Sequence, residues 1–336
     1  MKKLTIGSCT VESGDIGYGK LHLEPLPDGS EVFVPLIVVN GKHEGPVLWL
    51  GSAIHGREIP GIEVTRRITR EVVDPQTLRG AIVGATILNP YAFRHRLPDA
   101  PADPVNLNAV FPGDPHGSLS ERAAHVIFRQ GVSKCDYAID FHAATPLGME
   151  FMVLPACSDR EIMARSIEIA QAFGFPLVEI TRDMFGYDHS LIGWAQDTGK
   201  PGFVCEVKAQ ERYVRSSIPH GVKGVLNVMK VIGMIDGEVE PQDLPGAGGT
   251  YRFVDFRPQR SGLVSFEVEG GQWVGTGDLV GTVRDLWGNT VDLIKSPTDG
   301  YVRTITEEQA VYAGRIIGTI LEPHPKERLW TQAYRS

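Results

Sequence analysis

Val47-Leu48-Trp49-Leu50-Gly51-Ser52-Ala53-Ile54-His55-Gly56-Arg57-Glu58-Ile59-Pro60-Gly61 is the stretch on which the fold turns. An apolar run comes first, then His-Gly-Arg-Glu, then a helical pattern. The run Gly45 to Ala53 predicts a strand buried on both faces. Ile62, Thr65, Ile68 and Val72 form one stripe of a helix over Ile59 to Val73, with Pro60 in its first turn and Asp74-Pro75 after it. A second histidine closes a similar apolar run, Ala138-Ile139-Asp140-Phe141-His142. His55, Glu58 and His142 therefore sit near expected strand ends, where open α/β sheets gather ligands. Two histidines and a glutamate are the donor set of a hydrolytic zinc site with one position open for water. His-x-x-Glu alone is common by chance, and ordinary polar loop residues are the competing explanation.

Outward from this stretch, strands alternate with helices. Strands are expected at Glu31 to Asn40, Ala81 to Leu88, Asp136 to Phe141, Glu150 to Leu154, Phe175 to Ile180 and Gly202 to Val207. Helices are expected from the capping box Ser118-Leu119-Ser120-Glu121 to about Val132, and at Arg160 to Phe173, His189 to Thr198 and Pro219 to Ile235. The alternation implies an α/β domain with a largely parallel sheet. After Gly237 the pattern changes. Pro241, Pro245, Gly246, Gly248 and Gly249 read as a linker, followed by short strand-like runs such as Gly262-Leu263-Val264-Ser265-Phe266. We expect a catalytic domain over residues 1–240 and a small all-β barrel or sandwich over 250–325.

The 336 residues suit one large domain plus a smaller one. A net charge of −8 argues against a general nucleic-acid binder, which would carry a basic face. No run is apolar enough to span a bilayer, and residues 4–9 do not make a signal-peptide core. Cys9, Cys135, Cys157 and Cys205 form no Cys-x-x-Cys pair and are expected as reduced thiols in the cytoplasm.

Asp140 shares a strand face with His142. It reads either as a carboxylate orienting that imidazole or as a buried aspartate capping a turn. Glu206 ends the run Gly202-Phe203-Val204-Cys205 and is the best candidate for a proton shuttle. An exposed glutamate beside Lys208 is the competing reading. Asn89-Pro90-Tyr91-Ala92-Phe93-Arg94-His95-Arg96 and Asn106-Leu107-Asn108-Ala109-Val110-Phe111-Pro112-Gly113 flank a loop rich in Pro and Asp. An arginine there could stabilise an oxyanion, and an asparagine amide could hold a carbonyl or carboxylate.

Taken in order, these segments resemble the succinylglutamate desuccinylase/aspartoacylase family over most of the chain. The resemblance rests on His55 to Glu58 followed by Pro-Gly, Asn-Pro-Tyr-Ala-Phe, Asn-Leu-Asn-Ala-Val-Phe-Pro-Gly, Gly-Ser-Leu-Ser-Glu-Arg, Asp-Phe-His, and the glutamate after Phe-Val-Cys. It implies a three-layer zinc carboxypeptidase-like domain with a mixed, largely parallel sheet, and a C-terminal β domain like a lipoyl-type barrel. It implies one Zn²⁺ per chain on His55, Glu58 and His142, with Glu206 as general base. Arg96 is favoured over Arg94 as the arginine that polarises the carbonyl, with Arg94 a substrate contact, and Asn108 matches a substrate-binding asparagine.

One departure matters. The family carries an arginine after that asparagine to grip the substrate carboxylate, and here the residue is Ala109. Either Arg182, Lys208, Arg212 or Arg215 substitutes, or the substrate lacks a free carboxylate there. The expected activity is zinc-dependent amide hydrolysis of a small N-acyl amino acid or related N-acyl amine. The alternatives are a metallopeptidase on short peptides, a His₂-carboxylate iron oxygenase, or a non-catalytic small-molecule binder. Homo-oligomerisation is compatible with the resemblance. The turn Arg284-Asp285-Leu286-Trp287-Gly288-Asn289 holds no lysine, so the tail is expected to cap or assemble rather than to carry a swinging arm.

Overall fold

The computed structural model describes residues 2–208 and 217–324. Among the described residues, eighteen strands and six α-helices follow one another along the chain. The N-terminal strands are β1 (Leu4–Ile6), β2 (Cys9–Val11), β3 (Asp15–His22), β4 (Phe33–Asn40), β5 (His43–Ser52) and β6 (Arg79–Ala85). Then come β7 (Tyr137–Ala144), β8 (Phe151–Pro155), β9 (Leu177–Ile180) and β10 (Gly202–Lys208). The C-terminal strands are β11 (Thr250–Phe256), β12 (Gly262–Phe266), β13 (Trp273–Val274), β14 (Leu279–Arg284), β15 (Thr290–Lys295), β16 (Gly300–Ile305), β17 (Ala310–Val311) and β18 (Gly318–Pro323). The helices are α1 (Pro60–Arg67), α2 (Pro90–Phe93), α3 (Leu119–Gln130), α4 (Arg160–Phe173), α5 (Leu191–Asp197) and α6 (Ser217–Val231).

The main sheet has 12 strands in the order β13-β16-β18-β11-β9-β8-β10-β7-β5-β6-β4-β3. It is mixed. The centre, β10-β7-β5-β6, is parallel, while β8 against β10 and the β6-β4-β3 edge are antiparallel. Leu48 to Ser52 of β5 and Ala138 to Ala144 of β7 are buried on both faces, as their apolar runs require. One face packs on α1, α4 and α6 through Val64, Ile68, Ile169, Phe173, Val225 and Val228. The other packs α3 and α5 through Ala124, Ile127, Leu191 and Ala195, around fully buried Trp49. Helices on both faces of a sheet make the three-layer arrangement.

The helix expected over Ile59 to Val73 starts as α1 and widens into a π-helical turn, Ile68–Val72. The capping box at Ser118 is formed: its Oγ accepts from Glu121 N at 3.4 Å, and Glu121 accepts from Ser118 N at 2.7 Å. β7 runs past its expected end at Phe141 to Ala144, and β10 runs past its expected end at Val207 to Lys208.

Residues 250–323 form only strands, around their own core of Val264, Val280, Val283, Ile294 and Ile320. They build a four-stranded sheet, β15-β14-β12-β17, and also extend the main sheet, because β11 pairs in parallel with β9. The linker between α6 and β11 carries no helix or strand, yet the sheet continues across it. The tip of the β14–β15 hairpin is closed by Asp285, whose carboxylate accepts from Trp287 N and Asn289 N.

Candidate metal centre and active site

His-Gly-Arg-Glu follows β5 as a tight turn in which Glu58 N donates to His55 O at 3.0 Å, bringing the carboxylate back beside the imidazole. Two glycines allow this. A Cβ on Gly56 would stand 2.2 Å from the Ala92 carbonyl carbon, and one on Gly61 would stand 2.3 Å from Phe141 Cβ. α1 can therefore press against β7 at the residue preceding His142.

The three expected ligands converge. His55 Nδ1 lies 3.0 Å from Glu58 Oε1, and His142 Nδ1 lies 3.1 Å from Glu58 Oε2. The two rings meet edge to face at 5.0 Å between centroids. Each ring turns its other nitrogen to an acceptor: His142 Nε2 to Asp140 Oδ2 at 3.1 Å, and His55 Nε2 to Asn106 Oδ1 at 3.1 Å. With Nε2–H donating, Nδ1 is left as the lone-pair nitrogen in both. Of the two readings of Asp140, the geometry fits the orienting one.

The donor atoms of His55, Glu58 and His142 lie within 4.8 Å of one another, and Glu58 Oε2 is buried without a hydrogen-bond donor. Such a set fits a divalent metal. The charges say the same. Burial would raise the Glu58 carboxyl, but His142 and His55 outweigh it and hold the group at about 2. Burial would lower His142, but Asp140 and Glu58 lift it well above the usual histidine range. A ligand imidazole must present a lone pair, so metal binding here would release any proton the raised histidines hold in its absence.

Glu206 stands beside this cluster because β10 pairs in parallel with β7, with Glu206 opposite His142. Burial, opposed by the charge of His142, pushes its carboxyl up to about 7. A carboxyl at that level can both take and give a proton near neutral pH. Asn108 lines the same cavity. Its Oδ1 accepts from Leu191 N at 2.9 Å, and its Nδ2 lies 3.4 Å from His142 Nε2.

The cavity measures about 280 Å³ and is bordered by His55, Glu58, His142, Asn108, Glu206 and, unexpectedly, Tyr187 and Arg303. A second cavity of about 400 Å³ shares Tyr187, Glu206 and Arg303 with it and is walled by Phe151, Val153, Met184, Phe253 and Ile316. Burial first, then Glu206, keeps the Tyr187 phenol well above its usual range, so it holds its proton.

Arg94 and Arg96 are not brought to this cavity. They border a separate cleft with Arg57, Ile59 and Phe93, because the chain after α2 turns away through a left-handed Arg96 (φ 55°). Of the possible substitutes for an arginine at Ala109, Arg182 is taken up by Asp197, Ala156 O and Gly193 O. Lys208 borders neither cavity, and Arg212 and Arg215 lie outside the described residues. Neither Tyr187 nor Arg303 was singled out from the sequence. The signal that brings them in, the pairing of β11 with β9 and the turn before α5, is tertiary.

The profile of the succinylglutamate desuccinylase/aspartoacylase catalytic domain matches residues 44–232. The chain belongs to this family. It is 27% identical over 330 residues to the N-alpha-acetyl-L-2,4-diaminobutyric acid deacetylase of Halomonas elongata, with 93% of each chain covered. Its fold matches a succinylglutamatedesuccinylase/aspartoacylase from Rhodobacter sphaeroides (TM-score 0.79, 23% identity, 96% of this chain and 100% of the other). It also matches the product-bound ectoine utilization protein EutE (DoeB) of Ruegeria pomeroyi (TM-score 0.78, 23% identity, 95% and 100%). Among the described residues, no helix is long and apolar enough to cross a membrane.

Proposed function

We propose that this family member is a zinc-dependent deacylase of small Nα-acyl amino acids, with an Nα-acetylated diamino acid as the first candidate substrate. The observation that carries this reading is the convergence of two imidazole Nδ1 atoms and both Glu58 oxygens, with Glu206 on the same cavity. Zinc held by His55, Glu58 and His142, one ion per chain, would supply a Lewis acid and water of lowered pKa. Glu206 takes the proton of the attacking water and passes it to the departing amine. The Tyr187 hydroxyl, protonated and on the cavity wall, donates to the oxygen on which charge develops. The amide N–H of Asn108 orients the acyl amide. The role expected of Arg96 falls in this scheme to Tyr187 and the metal.

The diamino acid is favoured by the deacetylase relative, which covers the chain nearly end to end, and by Asp255 on the wall of the second cavity, where it could meet a side-chain ammonium. A cavity of this size suits a small acyl group better than a peptide. Four buried cysteine thiols accord with a reducing compartment, so we extend the proposal to the cytoplasm.

The test is elemental analysis paired with hydrolysis of an Nα-acetyl diamino acid, N-acetylaspartate and N-succinylglutamate. We expect one zinc per chain and turnover of the first. Glu206→Gln should retain the zinc while kcat falls by roughly 10²–10⁴-fold. A zinc-loaded protein inert to all three, or a fully active Glu206→Gln, would sink the reading.

A further inference from the structure

Arg303 reaches the active-site cavity from the C-terminal strands. It is the unmatched residue of a bulge in β16: Val302 pairs with Ile320 and Thr304 with Thr319, which leaves Arg303 between them. A bulge re-aims the side chain it carries. The backbone around it is tied to the catalytic half of the molecule. Arg303 O accepts from Met149 N at 2.9 Å, and the Thr304 and Thr145 hydroxyls meet at 2.5 Å. The guanidinium lies over two rings, 5.1 Å from the centroids of both Phe151 and Phe253. It is therefore fixed in place before any ligand arrives.

Its donors are nevertheless almost idle. A guanidinium has five N–H groups. Here Nη2 makes one long bond, 3.4 Å to Thr319 Oγ1, and Nε is enclosed with no acceptor. No ion pair joins it to Glu206, which shares both cavities with it. Among the described residues lining the two cavities, it is the one arginine or lysine. A held, desolvated cation with open donors is half of a bidentate anion site.

We infer that Arg303 is the substrate's carboxylate anchor, doing from the β domain what the arginine missing at Ala109 would do, so the substrate class is N-acyl amino acids with a free α-carboxylate. The acyl amide then lies toward His55, Glu58 and His142, with the carboxylate where the two cavities join. The amino-acid side chain enters the second cavity, between Val153, Met184 and Ile316. This inference rests on the deacylase reading for the identity of the ligand, not for the anion site.

The experiment uses zinc-loaded full-length protein carrying Glu206→Gln to suppress turnover. Calorimetry compares an Nα-acetyl diamino acid with its C-terminal carboxamide, with and without Arg303→Gln. The acid should bind roughly 10–100-fold more tightly than the carboxamide, as charge-assisted hydrogen bonds predict. In Arg303→Gln that ratio should fall to near one with carboxamide affinity little changed. Arg303→Lys, which keeps the charge but not the fork, should give an intermediate ratio and serves if the Gln variant does not fold. A ratio unchanged by either substitution, a ratio near one in the parent, or no binding of either compound overturns the anchor. Hydrolysis by unsubstituted protein is run in parallel. Absent hydrolysis with the Arg303-dependent ratio intact would defeat the deacylase reading and leave the anchor standing.

Discussion

Asp140 and Asn106 determine which nitrogen each histidine offers. By accepting from Nε2 of His142 and of His55, they leave both Nδ1 atoms facing Glu58. Acceptors of this kind typically matter 10- to 100-fold in metal affinity. Asp140→Ala should therefore weaken zinc binding by about that factor, read by chelator competition. Unchanged affinity would mean that packing alone orients His142. The trio His55, Glu58 and His142 was legible because His-x-x-Glu and Asp-Phe-His each abut an apolar run, and apolar runs mark buried strands. Asn106 was visible only as part of a motif; its bond to a histidine 51 positions away is not written in local pattern.

At the scale of elements, the approach of α1 to β7 is set by a missing side chain. Gly61→Ala would place a methyl 2.3 Å from Phe141 Cβ, a rigid neighbour close to the backbone. We expect a loss of about 1–3 kcal/mol and weaker zinc binding, because β7 carries His142. A variant as stable as the parent in urea would contradict this. β9 carries a second liability. Burial alone raises the Glu179 carboxyl to about 7, and its Oε1 has no hydrogen-bond partner. Its folded value lies above its ordinary 4.5. The native state thus binds more protons than the unfolded one, and stability falls as pH rises from about 4.5 to 7, then levels off. The penalty above that window is about 3 kcal/mol. Glu179→Gln should recover much of it at pH ~8 and little at pH ~4, measured by urea unfolding at both. Equal effects at the two pH values would show that the carboxyl is not ionising in the fold. Most of these elements were legible from periodicity and caps, α4 to the residue. The bulge at Arg303 was not, since a bulge exists only relative to the strand opposite.

For the whole molecule, the site is assembled from remote segments: the turn after β5, β7, β10, the loop around Asn106, the turn before α5, and β16. A ligand that binds only the assembled state stabilises it. Zinc at about 100 times its Kd should raise stability by about 2.7 kcal/mol. The melting temperature should rise with zinc and fall with chelator, and His142→Ala should abolish that dependence. A zinc-dependent shift that survives in His142→Ala would place the ion elsewhere. The change of pattern after Gly237 was visible in the sequence, but the continuation of the main sheet through β11 and β9 was not. By itself the sequence determined the alternation of strands and helices, the family and the candidate trio His55, Glu58 and His142, because hydrophobic period, capping and short motifs are local and survive in one dimension. Only the tertiary structure decided which cation enters the cavity: Arg303 in place of the nearer Arg94 and Arg96. That choice depends on where strands pair and how a bulge aims a side chain, and the pairing of β11 with β9, remote in sequence, leaves no local trace.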